Sequence, residues 1–214
     1  MTNTTRKRNH AIREVKKMHT LKKTPHTAKT PYNKDDFKSG DGMLTTVWGP
    51  GMWHYLHTMS FNYPVNPSNE DKKHYRDFVI RLQYTLPCKY CRINLKNNFK
   101  TLPLKMCTMK NRDTFSRYVY NLHELVNKML KKKSNLSYCD VRERYEHFRA
   151  RCTDKQPILF KFNKTKKNRE KGCTEPLYGE KAKCVLHIVP QADTSPSFQM
   201  DERCVKKRLT SNER

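Results

Sequence analysis

The feature that most constrains the fold is a series of apolar stripes at helical spacing between Trp48 and Phe148. Each stripe repeats at intervals of three and four residues, which is typical of one face of an amphipathic helix. Proline, glycine and helix-capping residues separate the stripes. The predicted helices are, in chain order, residues 50–62 after the Pro50-Gly51 breaker, a second capped by Ser68, a third opened by Cys88-Lys89-Tyr90-Cys91, a fourth capped by Asp113, and a short fifth over residues 141–148. The sequence therefore predicts an all-helical core.

Two basic extensions flank this core. Residues 1–42 show one-sided charge and little apolar periodicity, which predicts a flexible arm. Residues 149–214 lose the helical pattern and form a second basic, cysteine-containing extension, leaving residues 43–148 as the folded domain. Only 35% of the chain is hydrophobic, which is little for a core that would run its full length. No apolar run approaches the roughly 18 residues of a membrane helix, so no membrane span is expected.

The formal net charge of +25 is extreme for a chain of 214 residues. Such a charge attracts nucleic acid and other anionic surfaces without specificity, but it determines neither fold nor chemistry. The basic residues are spread along the whole chain rather than gathered in one arm. That distribution favours a general bias of composition over a dedicated nucleic-acid site.

The eight cysteines include one Cys-x-x-Cys motif, at Cys88 and Cys91. As half of a zinc site, the motif would need two further ligands at suitable spacing, and the remaining cysteines are isolated. As a redox pair, the motif is well placed. Pro87 precedes it, so Cys88 is expected at a helix N-terminus, where unpaired backbone amides stabilise a thiolate. A thiolate is the attacking species in thiol–disulfide exchange.

A second group of residues indicates a binding site for a planar ring. Trp53 and His57 lie one helical turn apart, and His123 and Asn127 repeat that spacing in the fourth predicted helix. An aromatic plane beside imidazole and amide groups suits a planar heterocyclic ligand. Each pair taken alone is more typical of a hydrogen-bonded core position than of a ligand site.

Four segments together resemble the Erv/ALR sulfhydryl oxidases, and more closely the versions encoded by large DNA viruses. They match in order and in interval over about residues 43–148. The segments are Trp48-Gly49-x-x-x-Trp53-x-x-x-His57, Tyr63-Pro64, Pro87-Cys88-x-x-Cys91, and His123-Glu124-x-Val126-Asn127-x-x-Leu130.

The resemblance implies a four-helix bundle with a short fifth helix, which holds FAD non-covalently beside the dithiol. Electrons would pass from protein thiols to Cys88–Cys91, then to FAD and to dioxygen, giving hydrogen peroxide, with Cys91 nearer the flavin and Cys88 exchanging with substrate. The residues that would line the FAD site are Trp53, His57, Tyr63, His123, Val126, Asn127 and Lys128, with Lys132 and Tyr145 beside them. No metal is implied. The resemblance also implies a homodimer and favours a virion or a viral assembly site in the host cytoplasm, with the mitochondrial intermembrane space as the alternative.

The chain departs from the family pattern at three places. Glu124 stands where the family usually has Asn, and Pro50 replaces a frequent Arg. The family's structural disulfide after the fourth helix has one partner here, Cys139, whereas Tyr120 occupies the other position. Cys139 is therefore unbridged or pairs with Cys107 or Cys152.

The sequence thus favours an FAD-dependent sulfhydryl oxidase. The alternative is a basic zinc- or nucleic-acid-binding protein with a structural Cys-x-x-Cys. A further hypothesis is that Cys173 and Cys184 form a shuttle disulfide that relays electrons from substrate to the redox pair.

Overall fold

The computed structural model describes residues 34–151, 173, 175–177, 180–190, 192–193 and 200–204. The chain divides into two compact units, residues 1–40 and residues 41–214. The described part of the first unit is a short helix, α1, over Lys34–Lys38. This helix lies inside the segment predicted to be a flexible arm, and the flexibility of that arm stays a prediction.

The second unit is a helical bundle, as predicted. Four helices form the bundle, a short fifth packs on it, and a 3₁₀ turn precedes the last long helix. The elements are α2 (Thr45–Phe61), α3 (Asn69–Thr85), α4 (Lys89–Thr101), the 3₁₀ turn Met106–Met109, α5 (Arg112–Met129) and α6 (Tyr138–Glu146). Helix α2 packs mainly on α5, and α3 on α4. Beyond the bundle, β1 (Ala150–Arg151) pairs antiparallel with β2 (Glu175–Pro176).

Helix α2 begins five residues before the predicted start and runs through Pro50. A proline inside a helix removes one backbone hydrogen bond and crowds the residue before it. That preceding residue is Gly49, which has no Cβ to clash with the proline ring. The helix can therefore continue through a dipeptide that, by itself, predicts a break.

Side-chain caps set the starts of the other helices. Ser68 caps α3 in a reciprocal capping box with Asp71, which confirms the predicted start. Helix α5 is capped by Asn111, in a box with Thr114, and not by Asp113. Asp113 lies in the first turn instead and forms an ion pair with Arg117 at 2.9 Å. The prediction was two residues late because Asn and Asp are about equally good caps, and the sequence alone does not rank them.

The end of α5 and the start of α6 also differ from expectation in detail. Lys131 adopts φ 56° in the left-handed region, so α5 ends at Met129, before the three lysines Lys131, Lys132 and Lys133 that were expected to form its last turn. Ser137 caps α6 in a box with Asp140, so α6 starts at Tyr138 rather than at Val141. Among the described residues, no helix has the length and apolar character that a membrane crossing requires.

The α5–α6 connection is held by tyrosine hydroxyls. Cys139 is a free, exposed thiol. Tyr120, at the position of the missing cysteine, donates a hydrogen bond to the carbonyl of Leu136 at 2.7 Å. The hydroxyl of Tyr138 lies 2.8 Å from that of Ser116 on α5. Hydrogen bonds thus connect α5 to the following segment where the resemblance would place a disulfide.

The main core lies between α2, α3, α4 and α5. Tyr63, Met109 and Phe115 are fully enclosed in it. The Tyr63 hydroxyl donates to the carbonyl of Met109 at 3.0 Å, and its ring packs on Tyr75 and Phe115. Burying a hydroxyl is costly unless it finds a partner, and this bond supplies one. The other members of the cluster are Leu56, Val79, Leu82, Leu95, Leu104, Tyr118, Val119 and Leu122.

Replacing Tyr63 with Phe should lower the free energy of unfolding by about 1–2 kcal/mol, because the buried carbonyl of Met109 would lose its partner. Urea denaturation followed by circular dichroism measures this change. Tyr84→Phe is the matched control, since Tyr84 is 63% exposed, and it should change the stability by less than about 0.5 kcal/mol. Equal stability of the two variants would contradict the structural role given to Tyr63.

Candidate functional site

The dithiol lies at the start of α4. Cys88 is the N-cap residue, and its sulfur accepts a hydrogen bond from the backbone N–H of Cys91 at 3.2 Å. The two cysteines form a disulfide. Both are partly accessible to solvent. When the disulfide is reduced, Cys88 therefore has the position in which a helix N-terminus stabilises a thiolate.

Three rings from two helices form an aromatic cluster. Trp53 and His57 come from α2, and His123 comes from α5. The Trp53 and His123 rings stack with their centroids 4.0 Å apart and 6° between their planes. Nε2 of His57 lies 2.9 Å from Nδ1 of His123, within hydrogen-bonding distance. Tyr145 from α6 stacks on the other side of His57, at 5.3 Å.

Burial keeps both histidines neutral. Desolvation, followed by the nearby positive potential of His123 and His54, lowers the pKa of His57 to about 3. Desolvation also lowers the pKa of His123 to about 4, although Glu124 acts in the opposite direction. The N–H of one neutral ring can then donate a hydrogen bond to the unprotonated nitrogen of the other.

Nδ1 of His57 is the nitrogen of the cluster that is available to a ligand. Among the described residues, Nδ1 of buried His57 has no hydrogen-bond partner. Buried polar atoms without a partner are rare in folded proteins, and a bound polar group can supply the missing bond. The cluster therefore fits a planar ring system that carries hydrogen-bonding edges.

A single face of α2 connects the disulfide to this cluster. Thr45, Gly49, Trp53 and His57 follow one another at intervals of four residues and share that face. The hydroxyl of Thr45 lies 3.8 Å from Sγ of Cys91. A Cβ added at Gly49 would meet a single atom within 4 Å, Cγ2 of Thr45 at 3.6 Å. The absence of a side chain at Gly49 therefore leaves room along the face between Cys91 and Trp53.

The C-terminal end of α5 contributes a polar network. Asn127 lies one turn after His123, and its amide donates to Glu124 at 3.0 Å. Ser134 donates to the same carboxylate oxygen at 2.9 Å. The carbonyl of Asn127 accepts the N–H of Lys132. With one amide N–H bound to Glu124, Asn127 can offer its side-chain carbonyl oxygen and its second amide N–H to a ligand.

The predicted cofactor-site residues do not all come together. Trp53, His57 and His123 form the cluster, and Asn127 lies on the next turn. Tyr63 belongs to the core, where its hydroxyl bonds Met109, and its assignment to a ligand site stays a prediction that this geometry does not favour. On α5, Val126 is half-buried and Lys128 is exposed.

Sequence reasoning missed part of the cluster. His54 lies 3.4 Å from the Tyr145 hydroxyl, and Phe61 stacks on the same tyrosine at 5.4 Å. Phe61 continues the four-residue spacing of Trp53 and His57, so that spacing was a usable signal. Nothing in the local sequence indicates that α6 brings Tyr145 onto α2.

The hypothesis of a Cys173–Cys184 disulfide is wrong for this structure. Cys173 is disulfide-bonded, whereas Cys184 is a free and exposed thiol. Cys107 is also free and exposed, so it does not pair with Cys139. Cys152 lies outside the described residues. Within the described ranges, no group of three or more His, Cys, Asp or Glu side chains is arranged to hold a metal ion.

A helical bundle with a Cys-x-x-Cys disulfide at a helix N-terminus and an adjoining aromatic–imidazole cluster defines a thiol–disulfide oxidoreductase with a site for a planar cofactor. Comparison with known proteins agrees with this class. The model of the Erv1/Alr family matches residues 50–149. A probable FAD-linked sulfhydryl oxidase of Acanthamoeba polyphaga mimivirus is 33% identical over 104 residues, 49% of this chain and 72% of that protein. The chain therefore belongs to the Erv1/Alr family.

Two further comparisons each cover about half of this chain. An FAD-linked sulfhydryl oxidase of African swine fever virus is 28% identical over 99 residues, which cover 46% of this chain and 80% of the viral protein. The crystal structure of the yeast Erv1 core aligns over 57% of this chain and 96% of its own, with 20% sequence identity and a TM-score of 0.44.

The free energy of unfolding should decrease as the pH falls from 7 to 5, because His57 and His123 are buried as neutral groups. Their folded pKa values lie below the ordinary value of 6.5. Below pH 6.5 the unfolded chain therefore binds protons that the folded chain does not, and unfolding becomes easier. At pH 5 the loss should reach about 2 kcal/mol for each histidine.

Urea denaturation at pH 7, 6 and 5 measures this loss, in a range where most carboxyl groups stay ionised. His74→Gln is the control, because His74 lies on the exposed face of α3, and this variant should keep the wild-type dependence. A free energy of unfolding that does not change between pH 7 and 5 would show that the two histidines are not buried as neutral groups.

Proposed function

We propose that this protein is an FAD-dependent sulfhydryl oxidase that forms disulfide bonds in protein thiols and reduces dioxygen to hydrogen peroxide. The observation that carries the proposal is the single face of α2 that runs from the Cys91 sulfur, past Gly49, to the stacked rings of Trp53 and His123. It provides a dithiol and a place for a planar cofactor beside it. The names of the viral relatives, FAD-linked sulfhydryl oxidases, support the same function.

The residues of the cluster fit a flavin. Trp53, His57 and His123 provide aromatic surface, and Nδ1 of His57 provides an unused hydrogen-bonding atom. Asn127 presents a carbonyl oxygen, and Tyr145 closes the far side of His57. FAD, when bound, supplies the transfer of an electron pair from a dithiol to dioxygen, which protein side chains cannot perform.

The dithiol carries out the exchange with substrate. A substrate thiolate attacks Sγ of Cys88, the Cys88–Cys91 bond breaks, and Cys91 leaves as a thiolate. A second substrate thiol then displaces Cys88 and forms the product disulfide. The two substrate thiols are oxidised by two electrons in total, and Cys88–Cys91 is reduced to a dithiol. Two electrons and two protons must then leave the Cys88–Cys91 dithiol, and a flavin held by Trp53, His57 and His123 would supply that oxidation.

The surroundings of the two cysteines suit these two roles. Cys88 is the N-cap of α4, where a leaving thiolate is stabilised by the helix terminus. Cys91 lies one turn into the helix and contacts Thr45 on α2. Cys91 is therefore the sulfur on the side of the proposed flavin, and Cys88 is the sulfur offered to substrate.

The purified protein should show a flavin absorption band that is released on denaturation, because the cluster holds the cofactor without a covalent bond. Cys88→Ser and Cys91→Ser should each reduce thiol-dependent oxygen consumption by at least about 100-fold while the flavin stays bound, since either change removes the disulfide. Cys107→Ser is the control and should keep wild-type turnover, because Cys107 is a free, exposed thiol outside the site.

Full oxidase activity in either dithiol variant would refute the assigned roles. A folded protein that takes up no FAD when the cofactor is added would refute the proposal itself.

The proposal includes a homodimer formed through α2 and α3. Tyr55 and Phe78 are exposed on these helices, and their rings meet edge to face at 5.9 Å. Beside them is an open cavity of about 380 Å³ with a nearly apolar lining, on the side of α2 away from the cluster. Exposed apolar surface of this kind is typical of a protein interface. The attraction to nucleic acid expected from the net charge has no such support and is not part of the proposal.

Sedimentation at micromolar concentration should show a dimer for the wild-type protein and a monomer for Tyr55→Glu/Phe78→Glu, because the double change places two charges in the interface. Val65→Glu is the matched control in an exposed loop and should stay dimeric. A monomeric wild-type protein would refute this part of the proposal.

A further inference from the structure

A short backbone segment lies across the loop that carries Cys88. This segment, residues 41–44, precedes α2 and is named the strap here. The N–H of Met43 donates to the carbonyl of Pro87 at 2.8 Å, and the indole of Trp48 donates to the carbonyl of Met43 at 3.1 Å. Both polar groups of the Met43 backbone are therefore engaged, although the side chain of Met43 is 70% exposed.

The strap approaches the loop so closely that only glycine fits at one position. A Cβ on Gly42 would lie 2.8 Å from the carbonyl oxygen of Pro87 and 3.2 Å from Cα of Cys88. Both are backbone atoms, which cannot move aside as a flexible side chain could. Gly40, two residues earlier, has no atom within 4 Å of such a Cβ. The need for glycine is therefore specific to the contact with Pro87 and Cys88.

The strap binds the carbonyl oxygen of Pro87, which belongs to the peptide bond between Pro87 and Cys88. The carbonyl of Pro87 and the N–H of Cys88 share one rigid peptide plane, so fixing that carbonyl fixes one side of the Cys88 backbone. Cys88 has the extended backbone of an N-cap residue, with φ −151° and ψ 119°. In this conformation its sulfur accepts the N–H of Cys91. Arg92 also holds the loop, because its guanidinium donates to the carbonyl of Leu86.

We propose that the strap is a positioning element for Cys88. By holding the peptide bond between Pro87 and Cys88, it keeps the Cys88 sulfur at the N-terminus of α4, where a thiolate is stabilised. The inference rests on the proposed function, in which Cys88 leaves as a thiolate when a second substrate thiol attacks the mixed disulfide. In that step the bond between substrate sulfur and Cys88 breaks, the product disulfide forms, and Cys88 retains the electron pair. A better-stabilised thiolate is the faster leaving group.

The experiment measures the reactivity of Cys88 without flavin or dioxygen. The reduced full-length protein is treated with iodoacetamide at pH 7 for short times, quenched and digested with trypsin. Cleavage after Arg81 and Lys89 gives a peptide that contains Cys88 but not Cys91, and cleavage after Lys105 and Lys110 isolates Cys107 as an internal reference. Mass spectrometry then gives the alkylation rate of each thiol in the same sample.

In Gly42→Ala the rate at Cys88 should fall about twofold to fivefold, the range of an interaction at a helix terminus, while the rate at Cys107 stays unchanged. Gly40→Ala is the matched control and should match the wild-type protein at both thiols. None of these variants alters the charges of Asp41, Lys89 or Arg92. A change in the alkylation rate at Cys88 is therefore due to the contact between the strap and the loop.

Trp48→Phe gives an independent test, because it keeps an aromatic ring and removes the donor to Met43. This variant should also lower the alkylation rate at Cys88. It decides the question if Gly42→Ala fails to fold. An unchanged Cys88 rate in Trp48→Phe, or in folded Gly42→Ala, would overturn the proposal. Because alkylation needs no cofactor, loss of the oxidase function would leave this test unaffected.

Discussion

The contact between α2 and α5 at His57 and His123 is the interaction on which the site depends. The hydrogen bond between the two rings and the stacking of His123 on Trp53 join the helices that contribute most of the cluster. The ring that accepts this hydrogen bond must be neutral, and burial keeps both rings neutral by lowering their pKa values. The same burial leaves Nδ1 of His57 without a partner in the described part of the chain, so the interaction that holds the helices also prepares a ligand site.

Helix α2 connects the two halves of the proposed chemistry. Its first turn contacts Cys91 through Thr45, and its middle carries Trp53 and His57. The Gly49-Pro50 dipeptide allows the helix to be continuous, and Gly49 adds no side chain of its own to the stretch between Thr45 and Trp53. A helix has a rise of about 1.5 Å per residue, so a single element sets the separation of dithiol and cluster. The strap before α2 extends this control to the backbone of Cys88.

Local sequence predicted the helices well where a single signal dominated. Ser68 predicted the start of α3, and Pro87 predicted the position of Cys88 at the start of α4. Prediction was less accurate where two local signals competed. Asn111 and Asp113 are both good caps, and Pro50 suggested a break that packing overrides. Helix boundaries depend on small local energies that tertiary contacts readily outweigh.

The sequence by itself indicated the class of protein, because four segments, including Cys88-x-x-Cys91, Trp53 with His57, and His123, match the Erv/ALR oxidases in order and in interval, and that match needs no tertiary information. Only the tertiary structure decided which side chains meet. It placed Tyr63 in the core, brought Tyr145 from α6 onto His57, and laid Gly42 against Pro87. The reason is physical: helical periodicity fixes which residues share a face, whereas packing between elements distant in sequence fixes what that face touches.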